Sequence, residues 1–403
     1  MLELVSALYL TMKLPRHKSV GLLTGINQDP GFFELICQSV SYKDSGETIW
    51  DSKLTPPLPP LEPLLYSVRS VPSYLQLKFI HDSRFRIKKY PSVTTYAICL
   101  DGIADIGDFM NRQFQKKARG NILRGVRRLE SCFDIQYKRF YGHIGREECG
   151  MLMERLEVMI QNRFIERQEE SDTLKNWEAV TRDIYAQVIS KKASLFVIYR
   201  GSTPVCISVA YHYESLFFYY ITSYDTDYAK FSPGTIMLYK QLEWCMDNKY
   251  RYFDLGYGDL EYKKWWSNHI APLDRLMFFP KNSASFYLLN MWEGYKSSFM
   301  AFLIARKVNI YYKKVLRIFT KPGQNQNPAP VIRLEPVEDL RSYGNLETID
   351  PDKENYSFLK PALYDFLYHS RKHLSEVNLH YSPSRDCFLL AAENDFKEIL
   401  INS

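Results

Sequence analysis

Apolar positions change their period several times along the chain, and each change predicts an element. SLFVIYR (194–200), TPVCISVAYHY (203–213) and SLFFYYITSY (215–224) are runs of apolar, β-branched and aromatic residues. Only Gly201-Ser202 and Glu214 separate them, so the pattern predicts an antiparallel meander. The period then becomes helical. In SPGTIMLYKQLEWCMDNKY (232–250), Leu238, Leu242 and Cys245 face inward, Ser232 suits the N-cap and Pro233 the first helical position. YRYFDLG (250–256) predicts a strand, a loop follows, and DRLMFFP (274–280) predicts another. A long helical region is expected from about 284 to 318.

Upstream, YLQLKFI (74–80) and TTYAICL (94–100) read as strands. DFMNRQFQKKARGNILRGVRRLESCF (108–133) reads as a helix with an intermittent apolar face of Phe109, Phe114, Ile122, Val126 and Leu129. Gly120 and Gly125 are where it is expected to weaken, since glycine costs a helix interior about 1 kcal/mol. FDIQYKRFY (133–141) predicts a short strand, and Leu152, Leu156, Ile160 and Phe164 share one face of a further helix. TPPLPPLEP (55–63) favours an extended polyproline path, and KPGQNQNPAP (321–330) has the composition of a linker. The tail carries a helix at about 356–375 and an apolar run, DCFLLAA (386–392). The expected organisation is an N-terminal half (1–140), a main domain (141–320) and a C-terminal extension (321–403).

Composition narrows the class. At 46% hydrophobic and 24% charged residues the chain reads as globular, with 30 Tyr and 24 Phe promising aromatic cores. The net charge of +6 is mild, so its placement matters more than its size. Between Asn111 and Leu129, Arg112, Lys116, Lys117, Arg119, Arg124, Arg127 and Arg128 occur with no acid among them. Lysine-rich helices commonly present such residues to water, yet this density also suits a phosphate-bearing ligand. The seven cysteines are scattered, with no CxxC or Cys/His ligand spacing, so no metal is expected and the thiols read as reduced. The start, MLELVSALYLTMKLPRHK, has an early acid and no basic lead, which makes a poor signal peptide. SSFMAFLIA (297–305) is too short to span a bilayer. A soluble, cytoplasmic protein is expected. No Ser/His/Asp or Cys/His arrangement is recognisable; His212 reads as a packed strand residue and His269 as a weak substrate contact. Nothing points to DNA, and the oligomeric state is left open.

Two stretches carry candidate chemistry. SYDTDYAKFSPGT (223–235) leads into a helix N-terminus, where backbone N–H groups near Ser232, Pro233, Gly234 and Thr235, with Lys230, suit a pyrophosphate. The same Ser-Pro-Gly start is also simply a good helix cap. YFDLGYGDLEYKKWW (252–266) crowds Asp254, Asp259, Glu261 and Lys263 around Gly256 and Gly258. Ordinary solvated ion pairs would also explain such spacing.

Read in order, residues 60–300 resemble the GNAT-fold acyltransferases related to the bacterial cellulose-biosynthesis acetyltransferase-like family. That group is similar in turn to the Fem-type peptidoglycan aminoacyl transferases. The resemblance rests on Tyr224-Asp225, Tyr228, Ser232-Pro233-Gly234, Asp254, Gly256, Gly258, Glu261-Tyr262-Lys263 and Trp266, and on the basic helix QKKARGNILRGVRRLES. It implies an α/β (α+β) fold of tandem GNAT-like halves, each a mixed, mostly antiparallel sheet flanked by helices, with the tail uncovered. It also implies acyl transfer from acetyl-CoA or another acyl-CoA to a hydroxyl or amine of a saccharide or cell-envelope precursor. Fem-type relatives use aminoacyl-tRNA instead, which makes tRNA the alternative partner. A non-catalytic scaffold in polysaccharide assembly is a third reading, because the ordinary GNAT phosphate loop Q/R-x-x-G-x-G/A is replaced by KFSPGT.

Under this resemblance, Lys263 is the candidate for oxyanion stabilisation. Asp254 would orient or deprotonate the nucleophile, with Glu261 the alternative base. Lys230, Ser232, Pro233, Gly234 and Thr235 would hold the donor. Tyr224, Asp225, Arg124, Arg127 and Arg128 would contact substrate. ARKVNIYYKKVLRIF (305–319), where aromatics alternate with cations, packs on the sheet by default and has peripheral membrane contact as its second reading.

Overall fold

The apolar runs of the sequence become strands, and most are drawn into one sheet. The computed structural model describes residues 17–54, 62, 64–80, 84–167, 171–258, 260–306, 331–393 and 395–402. The expected linker at 321–330, nearly all of that at 55–63, the 307–318 part of the expected helix, and Asp259 lie outside these residues. The strands up to residue 280 are β1 (His17–Gly21), β2 (Cys37–Tyr42), β3 (Thr48–Asp51), β4 (Leu65–Pro72), β5 (Leu75–Phe79), β6 (Phe85–Cys99), β7 (Ile135–Phe140), β8 (Ala193–Arg200), β9 (Thr203–Tyr213), β10 (Leu216–Tyr224), β11 (Tyr252–Tyr257) and β12 (His269–Pro280). A 9-stranded sheet has the order β1-β4-β12-β6-β11-β10-β9-β8-β7, and β3-β2-β5 form a small separate sheet. Pairing in the large sheet is antiparallel except for the parallel pairs β1/β4 and β10/β11. The mixed, mostly antiparallel α/β architecture expected from the sequence is present. Strands from the two expected halves are hydrogen-bonded together: β12 lies between β4 and β6, and β6 joins β11.

Helices cover both faces. On one lie α1 (Leu22–Gln28), α2 (Pro30–Ile36), α5 (Arg146–Arg167) and the short turns Asp172–Lys175, Trp177–Thr181 and Ile184–Ile189. On the other lie α3 (Ile106–Gln113), α4 (Lys116–Cys132) and α6 (Pro233–Asp247). The period-two alternation of the strands divides the cores: Leu195, Val197, Val209 and Tyr252 enter the first, Phe196, Ile198, Phe217 and Phe253 the second. Each such fully buried side chain contributes about 1.5–3 kcal/mol.

Three local expectations change. The helix expected at 108–133 is two helices, and it breaks at Phe114-Gln115 rather than at a glycine. Phe114 leaves the helical region so that its ring can pack on Phe109 and Trp266, a tertiary contact that outweighs glycine propensity. The loop expected after β11 contains a short helix, α7 (Glu261–Trp266), while α8 (Ala284–Ala305) is the described part of the expected long helix. The tail is more than a helix and an apolar run. β13 (Val331–Val337), β14 (Glu347–Ile349), β15 (Asn378–Ser382), β16 (Cys387–Ala392) and β17 (Asp395–Asn402) form a sheet in the order β13-β17-β16-β15-β14, beside α9 (Lys360–Ser370).

The tail is docked rather than tethered. Leu363, Tyr364, Phe366 and Leu367 of α9 share a core with Val126, Leu129, Phe133 and Phe231. Arg200 forks onto both oxygens of Asp352 at 2.8 Å, and Lys360 reaches the same carboxylate at 3.0 Å.

Candidate active site

β10 and β11 run in parallel only over Leu216–Phe218 and Tyr252–Asp254. Beyond that point β10 continues along β9 through an irregularity at Tyr219/Ile221, and β11 follows β6 through one between Asp254 and Tyr257. Just past the point where the strands part, Gly256 adopts φ +71°, a conformation that side chains disfavour. A cavity of about 720 Å³ opens at the parting. Phe218, Tyr219 and Tyr220 are among its lining, with Asp254 to Tyr257, Lys263, residues of β1 and α1, and Arg69, Ser70 and Thr95.

Asp254 sits at the base of this cavity and is 1% exposed. The alternation along β11 places it on the same sheet face as Tyr252, toward Tyr74 and Thr95. The Tyr74 hydroxyl donates to its Oδ2, while Thr95 Oγ1 (3.1 Å) and the Gly256 N–H (2.6 Å) donate to Oδ1. Burial pushes the carboxyl above its ordinary range, opposed by these three donors and by the nearby Lys263 charge. Burial, with Asp254 adding to it, also holds the Tyr74 phenol well above its usual value.

Lys263 is 8% exposed and reaches back under the glycine turn from α7. Its Nζ donates to the Tyr257 carbonyl at 2.6 Å. A Cβ built on Gly256 or on Gly258 (φ +116°) would lie 3.8 Å from that Nζ, so the turn wraps closely around the ammonium. Burial pushes Lys263 down to about 8, with Asp254 pulling the other way. One donor is used on Tyr257, and the ammonium has further N–H groups to offer a developing oxyanion.

The remaining residues singled out from the sequence lie elsewhere. Glu261 is on the exposed side of α7, paired with Lys264 at 3.2 Å, and does not line the cavity. The donor segment forms its own cluster. A Cβ on Gly234 would lie 3.5 Å from the Tyr224 ring, and one on Gly125 of α4 would lie 3.5 Å from the Phe231 carbonyl. The basic helix therefore packs against the turn that leads into α6. Asp225 accepts from Arg155 at 2.7 Å, and Arg163 lies 4.4 Å over the Tyr224 ring. Ser232 is left-handed at φ 57° and its side chain makes no cap; Pro233 opens α6 and Thr235 donates its N–H to the Ser232 carbonyl. Lys230 pairs with Asp365 of the tail at 2.7 Å, and Arg128 stands 5.3 Å over the Tyr368 ring. Arg124 and Arg127 are exposed on α4.

His212 is buried between Tyr250 (2.6 Å) and Ser194 (2.8 Å), and His269 packs edge-on against Tyr74 and Tyr252. Among the described residues, no group of His, Cys, Asp and Glu could hold a metal, and no helix is long and apolar enough to cross a membrane.

Sequence reasoning missed Tyr74, Thr95 and Arg69. Tyr74 and Thr95 stand 180 and 159 positions from the aspartate they ligate. The runs containing Tyr74 and Thr95 read only as strand, and the partnership arises from the order of strands in the sheet.

Residues 116–264 match a family model described as an acetyltransferase (GNAT) domain. No curated protein matches the chain. Three solved structures are similar at low identity. A conserved protein of unknown function from Bacteroides thetaiotaomicron is 12% identical over 53% of this chain and 69% of its own, with a TM-score of 0.37. FemX is 11% identical over 47% of this chain and 65% of its own, with a TM-score of 0.36. The C-terminal DUF2156 domain of an Agrobacterium fabrum protein, described as a lysylphosphatidylglycerol synthetase, is 8% identical over 56% and 71%, with a TM-score of 0.35. The family match supports an acyltransferase of GNAT type; it covers α4 through most of α7 and includes both Asp254 and Lys263.

Proposed function

We propose that the protein transfers an acetyl or other acyl group from acyl-CoA to a hydroxyl or amine of a saccharide or cell-envelope precursor. The reading is carried by one observation: a buried lysine, displaced toward neutrality and backed by a buried aspartate, lines the cavity where two parallel strands part. In the reaction the acceptor oxygen or nitrogen bonds to the thioester carbonyl carbon, the C–S bond breaks, and the acceptor's proton is balanced by the thiol released. Lys263 donates to the carbonyl oxygen as it gains charge, a contribution of about 10²–10³ in rate for one such donor. Asp254 accepts from the Tyr74 hydroxyl and the Gly256 N–H and favours the charged form of Lys263, so in this reading it would hold the turn and the ammonium in place. Arg69 and Ser70 also line the cavity, and in this reading they would contact the acceptor. The segment 230–235 and α4 would take the donor phosphates.

Native mass spectrometry of freshly purified protein tests the donor. A co-purifying coenzyme A species, with stabilisation by added acetyl-CoA, supports the reading; indifference to every acyl-CoA offered would overturn it. A second reading, transfer from aminoacyl-tRNA, is favoured by α4, where Lys116, Lys117, Arg124 and Arg127 are exposed and have no acidic partner among the described residues. Stabilisation by tRNA that weakens steeply with salt would favour it.

A further inference from the structure

The inner face of α8 packs on the sheet. Leu289 packs with Leu65, Met277 and Phe279, Asn290 donates to the Tyr90 hydroxyl at 2.9 Å, and Glu293 meets Arg275 at 3.3 Å. A Cβ on Gly294 would lie 2.2 Å from the Tyr90 ring, so the helix backbone rests directly on that ring. The outer face is apolar as well. Leu288 (65% exposed), Trp292 (49%), Tyr295 (67%), Phe299 (61%) and Phe302 (53%) repeat at alternating steps of four and three. At about 100° per residue they fall within an arc of roughly 80°, directly opposite the buried face. An exposed stripe this long and this aromatic marks an interaction surface rather than chance exposure.

Charge identifies the partner. Lys281, Lys296 and Arg306 are exposed beside the stripe, and Lys88 of β6 stands 5.1 Å over the Tyr287 ring at its start. Between Lys281 and Arg306 the one acid is Glu293, which is turned inward. The sequence that follows, up to Glu335, adds Lys307, Lys313, Lys314, Arg317, Lys321 and Arg333 and no acid. A second copy seated on this face would set lysines and arginines against one another with no carboxylate to meet them. An anionic lipid surface satisfies both halves of the pattern: aromatic side chains enter the headgroup boundary and the cations sit at its negative edge.

We propose that the outer face of α8 docks the protein on an anionic membrane surface. This stands apart from the acyl-transfer reading, because it concerns a different face and is read without turnover. The test is co-sedimentation of the full chain with vesicles of phosphatidylcholine alone and with about 30% phosphatidylglycerol. Binding is expected to the anionic vesicles and to weaken with salt. Leu288→Ser with Phe299→Ser should reduce it at least about tenfold, with the melting temperature unchanged because these side chains extend from the helix into solvent. Lys296→Glu with Arg306→Glu should reduce it by roughly fivefold or more per cation. Three outcomes would overturn the proposal: no binding by the wild type, binding indifferent to both double variants, or a dimer in light scattering that Leu288→Ser with Phe299→Ser dissociates.

Discussion

Replacing Lys263 by methionine should make the protein more stable and less active at once, and the sizes follow from its surroundings. The ammonium is held at about 8 against an ordinary 10.5. Keeping it charged in the folded state near pH 7 therefore costs about 3 kcal/mol relative to the unfolded chain. Methionine fills similar space without that charge. It gives up the hydrogen bond to the Tyr257 carbonyl, worth about 1 kcal/mol. The net expectation at pH 7 is a gain of about 2 kcal/mol.

The sign reverses with pH. Between about 8 and 10.5 the unfolded chain binds the proton that the folded one has released, so wild-type stability rises through that window. Above it only the lost hydrogen bond remains, and the variant becomes the weaker by about 1 kcal/mol. Denaturant unfolding of both proteins at pH 7 and at alkaline pH measures this, and turnover should fall about 10²–10³-fold in parallel. A variant that is destabilised at pH 7, or whose stability difference ignores pH, refutes the buried charged lysine. Undiminished turnover refutes the oxyanion role.

Three further outcomes are expected. If the ammonium is the acting form, the transfer rate falls as pH rises through about 8; a rate that rises there would assign Lys263 a base's part instead. Tyr74→Phe leaves the buried Asp254 one donor short, which should cost about 1–3 kcal/mol in urea unfolding and raise the carboxyl further; a neutral result would show that the hydroxyl does not hold that carboxylate. His212 is pushed down to about 3 by burial, so its contribution is complete above about 6.5 and is lost as pH falls toward 3, at up to about 1.4 kcal/mol per pH unit. His212→Gln should flatten that acid slope, and an unchanged slope would place the acid sensitivity in other groups.

The elements were legible wherever a local period was strong. The meander 193–224, α6 and β11 follow from patterns that need only neighbouring residues, and Gly256 marks its turn by residue type alone. The break between α3 and α4 was not legible, because it answers to Trp266, more than a hundred positions away. Nor were the tail strands, where Arg333, Glu335, Lys397 and Glu398 interrupt the apolar rhythm. Sequence alone singled out Lys263 and Asp254 and set them on one short turn. Only the tertiary structure showed how their surroundings differ, since the aspartate is held by Tyr74, in the turn after β4, and by Thr95 of the adjacent β6, both far away in the chain. It also separated Glu261 from the cavity and set Lys230 against Asp365. Periodicity records which face a residue turns; which distant residue it meets is set by strand order, and burial by that partner then determines the charge each group can carry.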